Sequence, residues 1–161
     1  KNFTLKSNLK RTGSAGIFAG SLELAKNTVV GLLKAGNKAE EHLNSTLKAF
    51  EISLQQFNVL RILRGRKGKA ANLNTVQKRM IHKMSNTSRL IDKLIEKKLV
   101  ERDICIENRR KIEIFITKKG LQVLEDLDFK IQKTEAEILS PLNFDEQKAL
   151  RALINKITLK N

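Results

Sequence analysis

Residues 85 to 93 of the 161-residue chain, Ser-Asn-Thr-Ser-Arg-Leu-Ile-Asp-Lys, place short polar side chains and a guanidinium in the first turns of a helix. Base edges in the major groove of DNA are read by such groups, because small side chains allow close approach and Arg or Asn can bond a base through two atoms. Ser85, Asn86, Thr87, Ser88, Arg89 and Lys93 form the candidate reading set. In it Arg89 suits a guanine, Asn86 an adenine, and the serines either bases or phosphates. A merely capped surface helix also favours Ser and Asn, so the set alone does not decide. A second cluster follows at Asn108, Arg109, Arg110 and Lys111, at the tip of an expected hairpin. Guanidinium groups there suit the narrow, negative minor groove. A third, Arg66, Lys67 and Lys69, lies in a glycine-punctuated loop and suits phosphate contact.

The charge distribution favours a polyanion. The formal net charge is +15. Residues 1–60 carry eight Lys and Arg against four acids, and residues 112–161 carry eight against eight. Residues 61–111 carry sixteen against five, so +11 of the +15 falls in 51 residues that hold all three clusters. A basic surface spread for solubility would not concentrate in this way, whereas a phosphate-binding face would.

The elements that position these residues follow from periodicity. Residues 1–20 are basic, then rich in Gly and Ala, and read as a poorly fixed tail or short helix. From Ser21, the positions Leu22, Ala25, Val29, Leu32, Gly36, Ala39, Leu43, Thr46 and Phe50 step by three and four along one face of a long helix over 21–50. Gly31 and Gly36 suggest a break. So long a stripe needs a partner helix, and a second subunit is the expected source. Ser53-Leu54-Gln55-Gln56 is a capping box, opening a helix with Leu54, Phe57, Leu60 and Leu63 inward. Asn72 caps a helix with Val76 and Met80 inward, and Ser85 caps one that runs to Lys98.

After Leu99 the period changes from 3.6 to 2. Ile104 and Ile106 alternate with Asp103 and Cys105, and Ile112, Ile114 and Ile116 with Glu113 and Phe115. Two such runs joined by polar residues make a hairpin. Thr117 then caps a helix through Leu121, Leu124, Leu127 and Ile131, and Asn143 opens a last one after Pro141. The expected fold is mainly α with a small β-hairpin: a winged helix-turn-helix over 51–117, flanked by a dimerisation helix at 21–50 and dimerisation helices over 118–161.

Several blocks resemble the MarR family of bacterial transcriptional regulators. They are Gln56-Phe57-Asn58-Val59-Leu60, Ser88 to Leu94, Leu99-Val100-Glu101-Arg102, Asn108-Arg109-Arg110 and Ile116-Thr117-Lys118-Lys119-Gly120. The spacing agrees without a gap from Ser88 to Gly120. The resemblance implies a homodimer with intertwined terminal helices, two winged domains on opposite half-sites of double-stranded DNA, and control by a small amphipathic ligand held between the dimer helices and the winged domain. A repressor is the implied role, and the family's wing arginine falls on Arg110. Two positions depart from the pattern. Asn108 stands where the family usually has Asp, and Lys98 where a Gly usually ends the recognition helix, which places a non-glycine residue at a left-handed position.

Other chemistries find little support. Cys105 invites a redox reading, with Arg102 lowering its pKa and Asp103 and Glu107 opposing that; an inert strand residue is the favoured account. His42, His82 and one Cys offer no metal-ligand spacing, so neither metal nor cofactor is expected. There is no phosphate loop or nucleophile elbow, so an enzyme is not expected. No apolar run spans a bilayer, the first residues lack the apolar core of a secretory signal, and a single cysteine fits a reducing cytoplasm. Two rivals stay open: a sequence-independent architectural nucleic-acid binder, and a protein-interaction module on the same fold.

Overall fold

The computed structural model describes residues 9–104 and 112–158, with side chains described from Gly20 onward. Its elements in chain order are α1 (Leu9–Lys48), α2 (Leu54–Arg64), α3 (Leu73–Arg79), α4 (Thr87–Glu96), β1 (Val100–Ile104), β2 (Ile112–Ile116), α5 (Lys118–Leu139) and α6 (Phe144–Thr158). The chain divides into two compact units, Lys1–Glu40 and Glu41–Asn161.

In the first unit, α1 begins at Leu9, well before the helix expected from residue 21. It also passes through Gly31 and Gly36 without a break. Each glycine costs about 1 kcal/mol relative to alanine, too little to interrupt a helix whose hydrogen-bond ladder continues on both sides. Leu22, Leu24, Val29, Val30, Leu32 and Leu33 of this unit are all exposed.

The second unit is built from short helices whose caps are written locally. The Ser53 capping box forms as expected: Ser53 Oγ accepts from the Gln56 amide at 3.2 Å, and the Gln56 side chain accepts from the Ser53 amide at 3.0 Å. Asn72 caps α3 and Thr117 caps α5 through side-chain oxygens. Asn143 takes the amides of Asp145 and Glu146, while Glu146 reaches back to the Asn143 amide. Each such cap is worth about 1 kcal/mol.

Leu54, Phe57, Leu60 and Leu63 of α2 are buried as their spacing predicts, and so are Val76 and Met80 at α3. Ile91 and Leu94 of α4, Leu99, Val100 and Ile114 of the hairpin, and Leu124, Leu127 and Ile131 of α5 complete one continuous core with Leu47. Leu121, expected inward, stays at the surface. The hairpin is antiparallel, with Val100 opposite Ile116 and Ile104 opposite Ile112. Its alternating isoleucines are unequally used: Ile114 is buried, Ile116 is partly buried, and Ile104 and Ile112 at the far end are exposed. The period of two therefore reports the strand correctly and overstates its burial. A one-residue bridge to the hairpin escaped the pattern. Ala71 exchanges both backbone hydrogen bonds with Ile114, at 3.0 and 2.7 Å, and docks the loop before α3 onto the sheet.

The end of α4 is a Schellman motif: the Leu99 amide donates to the Leu94 carbonyl at 2.9 Å and the Lys98 amide to Ile95 at 2.8 Å. Lys98, the residue between, has φ of 59°, so the left-handed site usually held by glycine is held here by lysine. Left-handed backbone costs a residue with a Cβ about 1–2 kcal/mol, of which glycine's looser unfolded chain gives back a part. Lys98→Gly should therefore stabilise the protein by about 0.5–1 kcal/mol. Urea unfolding should show this as a higher midpoint at unchanged slope.

Candidate nucleic-acid interface

Helix α4 owes its orientation to a sharp division of its faces. Ile91 and Leu94 are buried, with Leu90 and Ile95 packed partly against the core, while Ser88, Arg89, Asp92 and Lys93 face outward. Helices α2 and α3 and strand β1 are its neighbours on the buried side.

The first turn differs from expectation by one residue. Asn86, rather than Ser85, is the N-cap, and its Oδ1 accepts from the Arg89 amide at 3.1 Å. That oxygen is also the one an adenine pairing by Asn86 requires, so the cap competes with base reading there. Thr87 is corrected outright as a reading residue: it is 4% exposed, and its hydroxyl donates to the Ser85 carbonyl. A side chain sealed beneath the helix cannot reach a base edge. Ser85 is half-buried in the turn; Asn86 is exposed but engaged as the cap, which leaves Ser88, Arg89 and Lys93 as the exposed members with no such engagement.

Asp92 places a carboxylate on the same face and is answered from the hairpin. Arg102 Nη1 of β1 donates to Asp92 Oδ1 at 3.0 Å. Both partners are about half exposed, so the pair is worth under about 1 kcal/mol. Its consequence is geometric and electrostatic: it ties β1 to α4 and neutralises the acid nearest Ser88, Arg89 and Lys93, one turn before the exposed Glu96. Asn108, Arg109, Arg110 and Lys111 of the expected wing tip, and Cys105, lie outside the described residues. The described strands place the two ends of that segment opposite each other at Ile104 and Ile112.

The basic loop after α2 divides into holding and exposed cations. Arg64 grips Asp128 of α5 through two bonds, Nη1 to Oδ2 at 2.7 Å and Nη2 to Oδ1 at 3.0 Å. The paired carboxylate raises the guanidinium's pKa above its ordinary value. Arg66, expected to contact phosphate, turns inward: its Nη2 donates to the Ala70 carbonyl at 3.1 Å, closing its own loop. Lys67 and Lys69 are exposed, with Lys67 and Gly68 both at positive φ (52° and 81°). Sequence reasoning passed over Lys78 and Arg79 at the end of α3 and Lys83 in the turn before α4, all exposed on the same motif. The charge tally contained them, but no local pattern singled them out.

Two helices joined by a short turn, followed by an antiparallel hairpin packed on the second helix, define a winged helix-turn-helix protein. No protein-family model matches the chain. Solved structures do. A MarR transcription factor from Planctomyces limnophilus is 30% identical, with 81% of this chain and 94% of that one covered and a TM-score of 0.63. BpsR of Bordetella bronchiseptica, described with regulation of its DNA binding by 6-hydroxynicotinic acid, is 23% identical over 81% of this chain and 98% of that one, with a TM-score of 0.73. A cysteine-to-serine variant of Escherichia coli MarR in complex with operator DNA is 23% identical over 79% and 90%, with a TM-score of 0.71. The chain belongs to the MarR family of transcription regulators.

The two kinds of cation in the loop predict different behaviour. Lys69→Ala should weaken binding to all DNA sequences alike and reduce the slope of log affinity against log salt by about one unit. Arg66→Ala should leave that slope unchanged and lower the unfolding midpoint. Fluorescence anisotropy across a salt series, with thermal melts of both variants, checks this.

Proposed function

We propose that the protein is a homodimeric repressor that binds a pseudo-palindromic operator, with α4 of each subunit in the major groove. The observation that carries this reading is the outward face of α4, where Ser88, Arg89 and Lys93 project from a helix whose opposite face is fixed in the core. Family membership and the operator complex of the E. coli relative support it. Two apolar surfaces support dimerisation: Leu22, Val29, Leu32 and Leu33 on α1 of the first unit, and Phe144, Leu153, Ile154 and Ile157 on α6 of the second. Exposed leucines and isoleucines in such number are the composition of an interface rather than of a free surface. Half-sites about one helical turn apart would match a two-fold dimer. The single cysteine fits work in a reducing cytoplasm, and among the described residues no helix is long and apolar enough to cross a membrane.

A small effector has a candidate seat within the second unit. A cleft of about 390 Å³ lies between α3, α4 and the hairpin, with Leu73, Ile91 and Ile114 as apolar walls and Ser88, Asp92 and Arg102 as polar ones. An aromatic acid there would bring its ring against the apolar walls and its carboxylate to Arg102, in competition with Asp92. That would loosen the brace between β1 and α4 and so weaken operator binding.

Selection of sites from random duplex DNA at physiological salt tests the proposal. Enrichment of a two-fold symmetric sequence is expected, and its absence would leave a sequence-independent binder. Against the selected duplex, Arg89→Ala should cost about 1–3 kcal/mol and relax preference at one base pair in each half-site.

A further inference from the structure

The turn between α3 and α4 carries an apolar side chain that the fold does not use. The Ser85 amide donates to the His82 carbonyl at 3.1 Å, closing a four-residue turn with Lys83 and Met84 at its centre. Met80 before the turn and Thr87 after it are both buried, at 3% and 4% exposure. Between these anchors Met84 is 98% exposed. A polar residue would serve equally well at a turn centre so placed, and the other turn residue is indeed lysine.

The surroundings identify what meets Met84. Lys78, Arg79, Lys83, Arg89 and Lys93 are exposed on the same helix-turn-helix against two exposed acids, Asp92, neutralised by Arg102, and Glu96 at the far end of α4. Such a surface complements a polyanion rather than an apolar protein face. Met84 stands two residues before the N-cap of α4, at the end of the helix whose first turns carry the reading groups. The apolar group that the major groove offers there is the C5 methyl of thymine. A thioether side chain, unbranched and polarizable, adapts its rotamers to such a contact without rearranging the backbone. Resting on the DNA-binding reading above, we propose that Met84 is a specificity-determining residue that packs on a thymine methyl group in each half-site.

Deoxyuridine lacks only that methyl group, and this supplies the test. In the duplex obtained by selection, each thymine is replaced in turn by deoxyuridine. Affinity is then measured for the wild-type protein, Met84→Ala and Ile81→Ala, whose own turn side chain is 71% exposed. Circular dichroism confirms that the variants fold. The wild type should lose about fourfold in affinity at one thymine per half-site, the factor for one buried methyl-sized group. Met84→Ala should bind the thymine duplex about as weakly as the wild type binds the uridine duplex, and should not distinguish the two. Ile81→Ala should distinguish them as the wild type does. The proposal is overturned if no single replacement weakens the wild type, if Met84→Ala still discriminates, or if Ile81→Ala is the variant that loses discrimination. All three results leave specific DNA binding standing. Failure to select any duplex would instead remove the DNA-binding reading, and this proposal with it.

Discussion

Three consecutive carbonyl oxygens at the end of α4 are claimed by the beginning of α5. Lys119 Nζ donates to the Lys97 carbonyl at 3.0 Å, Thr117 Oγ1 to Lys98 at 2.8 Å, and the Thr117 amide to Leu99 at 3.1 Å. Helix ends leave such acceptors unpaired, and left in the interior they are costly. Thr117 also accepts the Gly120 amide at 3.0 Å, so one hydroxyl caps α5 while fastening α4. The approach is close enough to exclude any side chain at Gly120: a Cβ there would collide with the Leu99 carbonyl oxygen and lie 2.8 Å from Ile116 Cγ1. The end of α4, the root of the hairpin and the first turn of α5 are thus a single node. The left-handed Lys98 sits inside it, its strain outweighed by the bonds on either side.

The remainder of α5 extends that node into the rest of the second unit. Two turns beyond Gly120, Asp128 is held by Arg64 at the end of α2. Further on, the hydroxyls of Thr134 and Thr46 share a hydrogen bond of 2.7 Å, with Thr46 on the last turns of α1. A helix bonded at three points to three other helices cannot shift at one of them without strain at the others. A ligand parting Asp92 from Arg102 would act on α4 directly, against a helix end that these contacts hold in place.

Local chemistry explains which of these features could be read from the sequence. The caps at Ser53, Asn72, Thr117 and Asn143 depend on groups two or three residues apart, and all four formed as their residue types predict. Change of period found the hairpin for the same reason. The failures each involve a distant partner. Ser85 and Asn86 are both competent caps, and the choice fell to Asn86 because the core takes Thr87. Arg66 reads as a phosphate ligand until the Ala70 carbonyl is known to lie within its reach. The Ala71 bridge is a single residue pair with no period to betray it. The clash that requires Gly120 is with a carbonyl twenty-one residues earlier. The candidate reading face was legible in the helix spacing, whereas the brace from Arg102 was not.

The same distinction changes the meaning of the basic third of the chain. Six arginines lie between residues 61 and 104, and four have internal partners: Arg61 over the Phe57 ring, Arg64 on Asp128, Arg66 on the Ala70 carbonyl and Arg102 on Asp92. The planar guanidinium, with five donors in a fixed fork, suits such bridging, while lysine's compact and strongly hydrated charge favours solvent. Accordingly Lys67, Lys69, Lys78, Lys83 and Lys93 are exposed, and Lys97 alone reaches back, to the Glu51 carbonyl. Lysines thus supply most of the field that draws a polyanion, a role that needs charge and little geometry. Base reading needs the fork. Of those six arginines only Arg79 and Arg89 keep it uncommitted, and Arg89 alone stands on the outward face of α4.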